Sequence, residues 1–336
     1  IGAIFAYPGD FVAGQWWLGL LRLVIYALGV WVLLKVWDWA LPWSLYRTSR
    51  RSSAAAHSGL GPLGWAALQP AGLERFGLGQ VGAIAARCLI YWWRDPRYSA
   101  NIIVAPLLPV ILAMVNPQLL LLAGPIVAFM FMWTVSTDVG LDATAFWMHL
   151  AAPLRGWQDR AGRVLAVSII AIPAILLVSL GGLAYWDIAH EIGGLQNLEF
   201  IGEVRWERLQ WFGWLAGAGS IGIGLAAAGV ASVLSALLVY PMTKPGDNPF
   251  SSPQGSSLAT LLSQSAGWAV LVVLVGPGVA LSYFGYAQES YALMLAGGWV
   301  LLLTGIAVVL GGIKLGGTVL DNRAPALLAK LRSYGR

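Results

Sequence analysis

The chain has 336 residues, of which 58% are hydrophobic and only 10% charged, with a net charge of +5 and a mean hydropathy of +0.73. Soluble domains carry roughly 25% charged residues, and a spanning helix needs about 20 consecutive apolar residues; this chain has several such runs, which excludes a soluble fold with one large core. The runs are continuously apolar rather than alternating, which also excludes a membrane barrel. The expected fold is therefore all-α and polytopic, with about seven transmembrane helices. The single cysteine, Cys88, rules out an internal disulfide. Basic residues lie beside the apolar runs, a pattern that suits membrane lipid and leaves no nucleic-acid footprint. The pairs Trp16–Trp17 and Trp92–Trp93 suit the headgroup level.

The chain starts at Ile1 without a signal-peptide pattern, and further spans are expected upstream. The first span runs from about Trp17 to Trp37, with Arg22 and Lys35 near its ends. Arg47, Arg50 and Arg51 open a Ser/Ala/Gly/Pro-rich stretch that reads as a cytoplasmic linker. The segment 80–98 mixes Ile84, Leu89, Tyr91, Trp92 and Trp93 with Arg87, Arg94, Asp95 and Arg97. It reads either as a helix lying in the membrane interface or as the cytoplasmic end of the next span.

The second span covers Asn101 to Val115, with Pro106 and Pro109 as expected kinks. After the turn Asn116-Pro117-Gln118, the third span runs from Leu119 to Val139. A polar stretch, Asp138 to Arg163, precedes the fourth span, Val164 to Ala184. Tyr185 to Arg208 is acidic. The fifth span, Trp211 to Tyr240, is dense in small residues, among them Gly222, Gly224 and Gly229, which let membrane helices approach closely. Pro241 to Ser257 is a loop. The sixth span, Leu261 to Phe284, is expected to break near Gly276-Pro277-Gly278. A turn near Ala287 leads to the seventh, Tyr291 to Leu315, and a basic tail from Asp321.

Lysine and arginine set the orientation. Arg155, Arg160 and Arg163 mark the loop 140–163 as cytoplasmic, and Lys244, Arg323, Lys330 and Arg332 place the loop 241–257 and the C-terminus on the same side. The loop 185–208 is then external, in a multi-pass protein of the plasma membrane. The first and last spans each end in a lysine, Lys35 and Lys314, before a basic tail. This suggests that residues 1–50 are the last helix of a preceding half, 51–79 a cytoplasmic linker and 80–336 a six-span domain.

There is no G-x-x-x-x-G-K-[ST] phosphate loop and no Leu-Ser-Gly-Gly-Gln-like signature, so this chain does not hydrolyse ATP alone. His190-Glu191-Ile192-Gly193-Gly194 has a glycine where a zinc protease needs its second histidine; no metal ligand set and no catalytic residue are assigned. Ionisable residues inside the later spans are scarce, which speaks against an ion-coupled carrier and for energy delivered from outside the membrane.

The informative loop is Asp142 to Arg163. Phe146, Leu150 and Leu154 are spaced as one face of a short helix. Asp142 stands where it would cap that helix, and Pro153 and Gly156 end it. Such a helix either docks in a groove of a soluble partner or lies on the headgroups. The pattern Asp142, small residues, Phe146-Trp147, then Leu150-x-x-Pro153-Leu154-Arg155-Gly156 resembles the intracellular loop of type-2 ABC exporter permeases, the type V exporter fold. Arg87-Cys-Leu-Ile-Tyr-Trp92-Trp93-Arg94-Asp95-Pro-Arg97-Tyr98 resembles that family's connecting helix, and Tyr240 to Phe250 resembles a loop of actinobacterial permeases with two six-span halves in one chain.

The resemblance covers about residues 80–336; the family's long loop between the last two spans, found in some branches, is absent. It implies that Asp142, Phe146, Trp147, Leu150, Pro153, Leu154 and Arg155 form a coupling helix, and that Arg87, Trp92, Trp93, Arg94, Asp95 and Arg97 belong to a connecting helix. It further implies a separate ATP-binding-cassette ATPase, as a homodimer carrying ATP and Mg, and an upstream transmembrane half or second permease. The exported substrate would be hydrophobic or amphipathic, drug-, lipid- or antibiotic-like; no substrate-binding residue is assigned. The alternatives are a non-transport membrane scaffold or assembly factor, and an intramembrane enzyme using His149 or His190. The orientation has a direct test: a cysteine placed between 190 and 200 is expected to react with an impermeant maleimide from outside, and Arg155→Cys only from inside. Labelling of Arg155→Cys from outside overturns the topology.

Overall fold

The computed structural model describes residues 79–115, 119–152, 154–191, 215–239, 242 and 257–334. It also describes Trp16, Trp17, Leu20, Val24, Ala27, Leu28, Trp31 and Lys35, all exposed and helical. The rest of the first span, the linker 51–79 up to Gly79 and most of the loops 185–208 and 241–257 lie outside the described residues. No strand occurs among the described residues. In chain order the helices are α1 (Gly79–Arg94), α2 (Pro96–Val115), α3 (Leu120–Trp133), α4 (Asp138–Asp142), α5 (Trp147–Ala151), α6 (Gly156–Glu191), α7 (Ser220–Leu237), α8 (Ser257–Ala287) and α9 (Tyr291–Tyr334). Short 3-10 turns, Thr134–Ser136 and Ala143–Phe146, flank α4, and a π turn, Leu215–Gly219, leads into α7.

Four helical stretches are long and apolar enough to cross a membrane: Gly156–Gly182, Leu215–Leu237, Leu261–Ala287 and Tyr291–Ser333. Leu122–Ser136 is apolar but shorter. The expected count of about seven spans is thus not reached among the described residues. The helical class and the membrane character stand.

The stretch containing α7 is the centre of the bundle, with 67% of its apolar window buried against 28–33% in the other three. Its glycines and alanines explain this position. Without large side chains, α7 lets neighbouring helices close onto its backbone. α9 packs along it most extensively, α3 covers another side, and α8 lies mainly against α9. A Cβ on Gly229 would strike the Val308 carbonyl oxygen, and one on Gly312 would strike the Gly229 carbonyl oxygen. The main core joins Val127, Phe131, Met132, Val167, Ile175, Ala227 and Leu301.

Two helices run on where the sequence suggests a stop. Pro277 does not break the sixth span, and α8 is continuous from Ser257 to Ala287. Proline removes one backbone hydrogen bond, but ending the helix there would expose several unpaired backbone groups to hydrocarbon, at several kcal/mol each. The basic tail is also not separate. α9 continues for 44 residues to Tyr334, about 66 Å at 1.5 Å per residue, twice the roughly 30 Å hydrocarbon core. Its extension past Lys314 is held by Leu320, Leu327 and Leu331, an inward stripe buried against Val139, Phe146, Ala236 and Val239. The expected turn after α8 is present, with Glu289 at φ 51°.

Neighbouring glycines on α9 give a matched pair of variants. Gly312→Ala is expected to destabilise by about 1–3 kcal/mol through overpacking against α7. Gly311→Ala, with nothing within 4 Å of the added Cβ, is expected to be neutral or slightly stabilising. Thermal unfolding in detergent measures both.

Candidate functional site

The inner ends of the helices converge on a buried ionic cluster. Asp138 and Asp142 are one helical turn apart on α4, so their carboxylates leave the same face. Asp159, Arg160 and Arg163 lie in the first two turns of α6, and Arg87 approaches from α1. Arg160 and Arg163 are 0% and 1% exposed, Asp159 2%, Asp138 4% and Asp142 8%. Arg163 Nε donates to Asp159 Oδ2 at 3.0 Å, its Nη2 donates to Asp142, and its Nη1 lies 3.7 Å from Asp138 Oδ2. Arg160 Nε donates to Asp159 Oδ2 at 3.0 Å, and its Nη1 to Ser235 Oγ on α7 at 2.6 Å. Arg87 Nη2 stands 3.8 Å from Asp142 Oδ2.

Three guanidinium groups thus face three carboxylates. An isolated buried charge costs several kcal/mol, and a charge-balanced set offsets that cost, although Arg87 Nε and Nη2 and Asp138 Oδ1 make no hydrogen bond. Arg97 adds a clamp at the edge, binding both Asp95 carboxylate oxygens and reaching the Leu141 carbonyl at 3.4 Å.

An exposed elbow sits below this cluster. Ala143 turns the chain with φ 46°, a conformation that costs a residue with a side chain about 1–3 kcal/mol and persists only where the surroundings fix it. Here Asp142 is tied into the ionic cluster on one side and Phe146, 1% exposed, is buried on the other. Trp147 is 52% exposed, Leu150 39% and Trp157 37%. The elbow ends at the N-terminus of α6, where Gly156 N–H donates to Asp321 Oδ1 of α9 at 2.7 Å. Gly156 and Gly317 pack so closely that a Cβ on either would overlap the other's backbone.

The structure separates residues that the spacing placed together. Asp142 ends α4 and pairs with Arg163. Phe146, Leu150 and Leu154 all reach one cavity, but they do not lie on one continuous helix and differ in burial. The chain passes from a 3-10 turn into the five-residue α5 and then leaves helical geometry at Leu154, so the 3.6-residue period does not persist. Phe146 enters the core, Leu150 faces outward, and Leu154 packs with Ile84, Ala85 and Cys88. Arg155 is exposed.

The helix expected in the interface is α1, and it is packed along α6. Val81, Ile84, Ala85, Cys88 and Trp92 form its buried stripe, with Trp92 2% exposed beside Tyr98 and Phe131. Arg94 is exposed. Pro153 and the side chains of Trp93, His149 and His190 lie outside the described residues. Burial pushes the Cys88 thiol up to about 12, which keeps it protonated and unreactive. Among the described residues no group of three His, Cys, Asp or Glu could hold a metal ion.

Sequence reasoning used Arg160 and Arg163 only as orientation markers and passed over Asp138, Asp159 and Ser235. The available signal was the pair of four-residue spacings, Asp138/Asp142 and Asp159/Arg163, beside strongly apolar helices.

Phe146→Ala and Asp142→Ala are each expected to destabilise by about 3–5 kcal/mol, through a core cavity and an uncompensated buried guanidinium respectively. Asp138→Asn is expected to cost less, because one Asp138 oxygen is buried without a hydrogen-bond partner and the other is 3.7 Å from Arg163. Melting temperatures of the purified variants rank the three.

No family model, curated protein or solved structure matches this chain.

Proposed function

We propose that this chain is the membrane permease of an ATP-driven exporter, powered by a separate ATP-binding-cassette subunit seated on the elbow 143–157. The observation that carries this reading is an exposed apolar elbow, Trp147, Leu150 and Trp157, anchored from behind by Phe146 and the buried ionic cluster. An exposed apolar surface is stabilised by a partner. A rigid mount lets a push on that surface move helices instead of deforming a loop.

The residues that form helices supply further support. The segments 164–182, 215–237, 257–287 and 291–313 contain no Asp, Glu, Lys or Arg. An ion-coupled carrier needs ionisable groups in such positions; an externally driven permease does not. Apolar and aromatic helix surfaces suit a hydrophobic or amphipathic substrate. Transport outward rests on the resemblance to type-2 ABC exporters.

Co-purification of a nucleotide-binding ATPase with the tagged chain tests the reading. Leu150→Asp is expected to lower ATPase recovery about tenfold or more, since burying a leucine contributes roughly 1.5–3 kcal/mol, and to abolish transport with the melting temperature unchanged. Arg155→Ala is expected to have a small effect, an exposed ion pair being worth about 0–1 kcal/mol. A stable complex lacking any ATPase would point to a scaffold, and a Leu150→Asp variant that binds and transports like the parent removes the elbow as the coupling element.

A further inference from the structure

Asp138 is the odd member of the ionic cluster. Asp142 meets two guanidinium groups, Arg163 and Arg87, and Asp159 also meets two, Arg160 and Arg163. Among the described residues Asp138 meets one, Arg163, through Oδ2 at 3.7 Å, too long for a hydrogen bond. Its Oδ1 is buried without a hydrogen-bond partner. The residue is 4% exposed and lies past the end of the apolar stretch Leu122–Ser136. An ionised carboxylate so placed loses its hydration and recovers little of it, whereas the protonated group avoids that cost.

The described groups around Asp138 leave it no counter-charge of its own. Asp142 on the same helix and Asp159 on α6 are acids, and both share Arg163 or Arg160. α1 brings Cys88, with Arg87 beside Asp142. α2 brings Tyr98, and Arg97 next to it is bound to Asp95. Burial pushes the thiol and the phenol up, so both stay neutral. α7 has no ionisable residue between Ser220 and Leu237, and neither 3-10 turn flanking α4 has one.

We propose that Asp138 is a proton-binding site whose occupancy sets how firmly α4, and with it the elbow, is held against α6. With Asp138 ionised, two carboxylates a helical turn apart on α4 compete for Arg163. A proton taken from water onto Asp138 leaves three guanidinium groups facing two carboxylates. Asp142 then holds Arg163 without a rival on its own helix, and the chain enters the elbow at Ala143, the next residue. The inference goes beyond the permease reading and holds whatever the elbow binds.

Burial, opposed by Arg163, pushes the Asp138 carboxyl up to about 6, against about 3.9 in an unfolded chain. The stability this proton supplies is therefore fully present below about pH 4 and is lost as the pH rises through about 6. Its occupancy rises about thirtyfold between about pH 7.5 and about pH 5.

The test uses the full chain in nanodiscs at those two pH values. Infrared difference spectra are expected to show a protonated-carboxyl band with its midpoint at about pH 6, absent from Asp138→Asn and shifted in Asp138→Glu. Hydrogen exchange over residues 143–151, corrected for its intrinsic pH dependence, is expected to slow in the parent at the lower pH and to be insensitive to pH in Asp138→Asn. The melting temperature of the parent is expected to rise relative to that of Asp138→Asn over the same change. A parent spectrum without the band overturns the proposal, and that reading needs no variant. The same pH dependence of exchange in parent and Asp138→Asn also overturns it and assigns the effect to another group, such as His149 on the elbow. A band without any pH dependence of exchange in the parent removes the link to the elbow and overturns it too. All three failures leave the ATPase co-purification, and so the permease reading, untouched.

Discussion

Arg163 is where the inner half of the protein is tied together. Its guanidinium reaches Asp142 and Asp138 on α4 and Asp159 on its own helix, at 1% exposure. Neither the arginine nor its acids could be buried singly, because the desolvation penalty for one uncompensated ion is several kcal/mol. α4 and α6 therefore cannot separate without stranding charge. Arg160 extends the same constraint to α7 through Ser235, and Arg87 extends it to α1. Four helices are locked at one end by a charge-balanced set, while the apolar lengths of the longer ones are held mainly by packing.

The elbow depends on that lock. Ala143 can hold its unfavourable backbone angle because the residues on both sides are fixed, Asp142 by charge and Phe146 by burial. The outward-facing Trp147 and Leu150 thus sit on a stiff mount. The elbow has a second fastening to α9 through Asp321, Gly317 and the Leu320/Leu327/Leu331 stripe. Further out, α9 touches α7 backbone to backbone at Gly229 and Gly312. A displacement at the elbow is therefore shared between α6, which follows it in sequence, and α9, whose contacting Asp321 is 165 residues from Gly156. For a permease driven by a soluble subunit, that arrangement couples one small surface to two long helices.

Much of the outline was legible residue by residue. The apolar lengths of α6, α7, α8 and α9 were visible as runs, and the small residues of α7 pointed to close packing. The stops were less reliable. Pro277 and the charged residues after Lys314 look like ends, yet both helices continue, because an interrupted backbone in hydrocarbon is worse than one missing hydrogen bond and because Leu320, Leu327 and Leu331 find a core beyond the span. In the elbow, spacing suggested one amphipathic face, but the helix there is too short and too bent to carry a period.

What the sequence by itself determined is the solvent and the class of structure. Lengths of apolar chain and the scarcity of charge require helices in a membrane, and that requirement is local: each run must satisfy its own backbone. The tertiary structure decided which charges are buried, which apolar residues are left outside, and where the site lies. Arg87, Asp142, Arg163 and Ser235 lie on four different helices, and each alone reads as an ordinary loop or helix-end residue. Only their convergence makes burial of the charges tolerable, and burial of Phe146 beside an exposed Trp147 follows from that convergence and from no pattern within the loop itself.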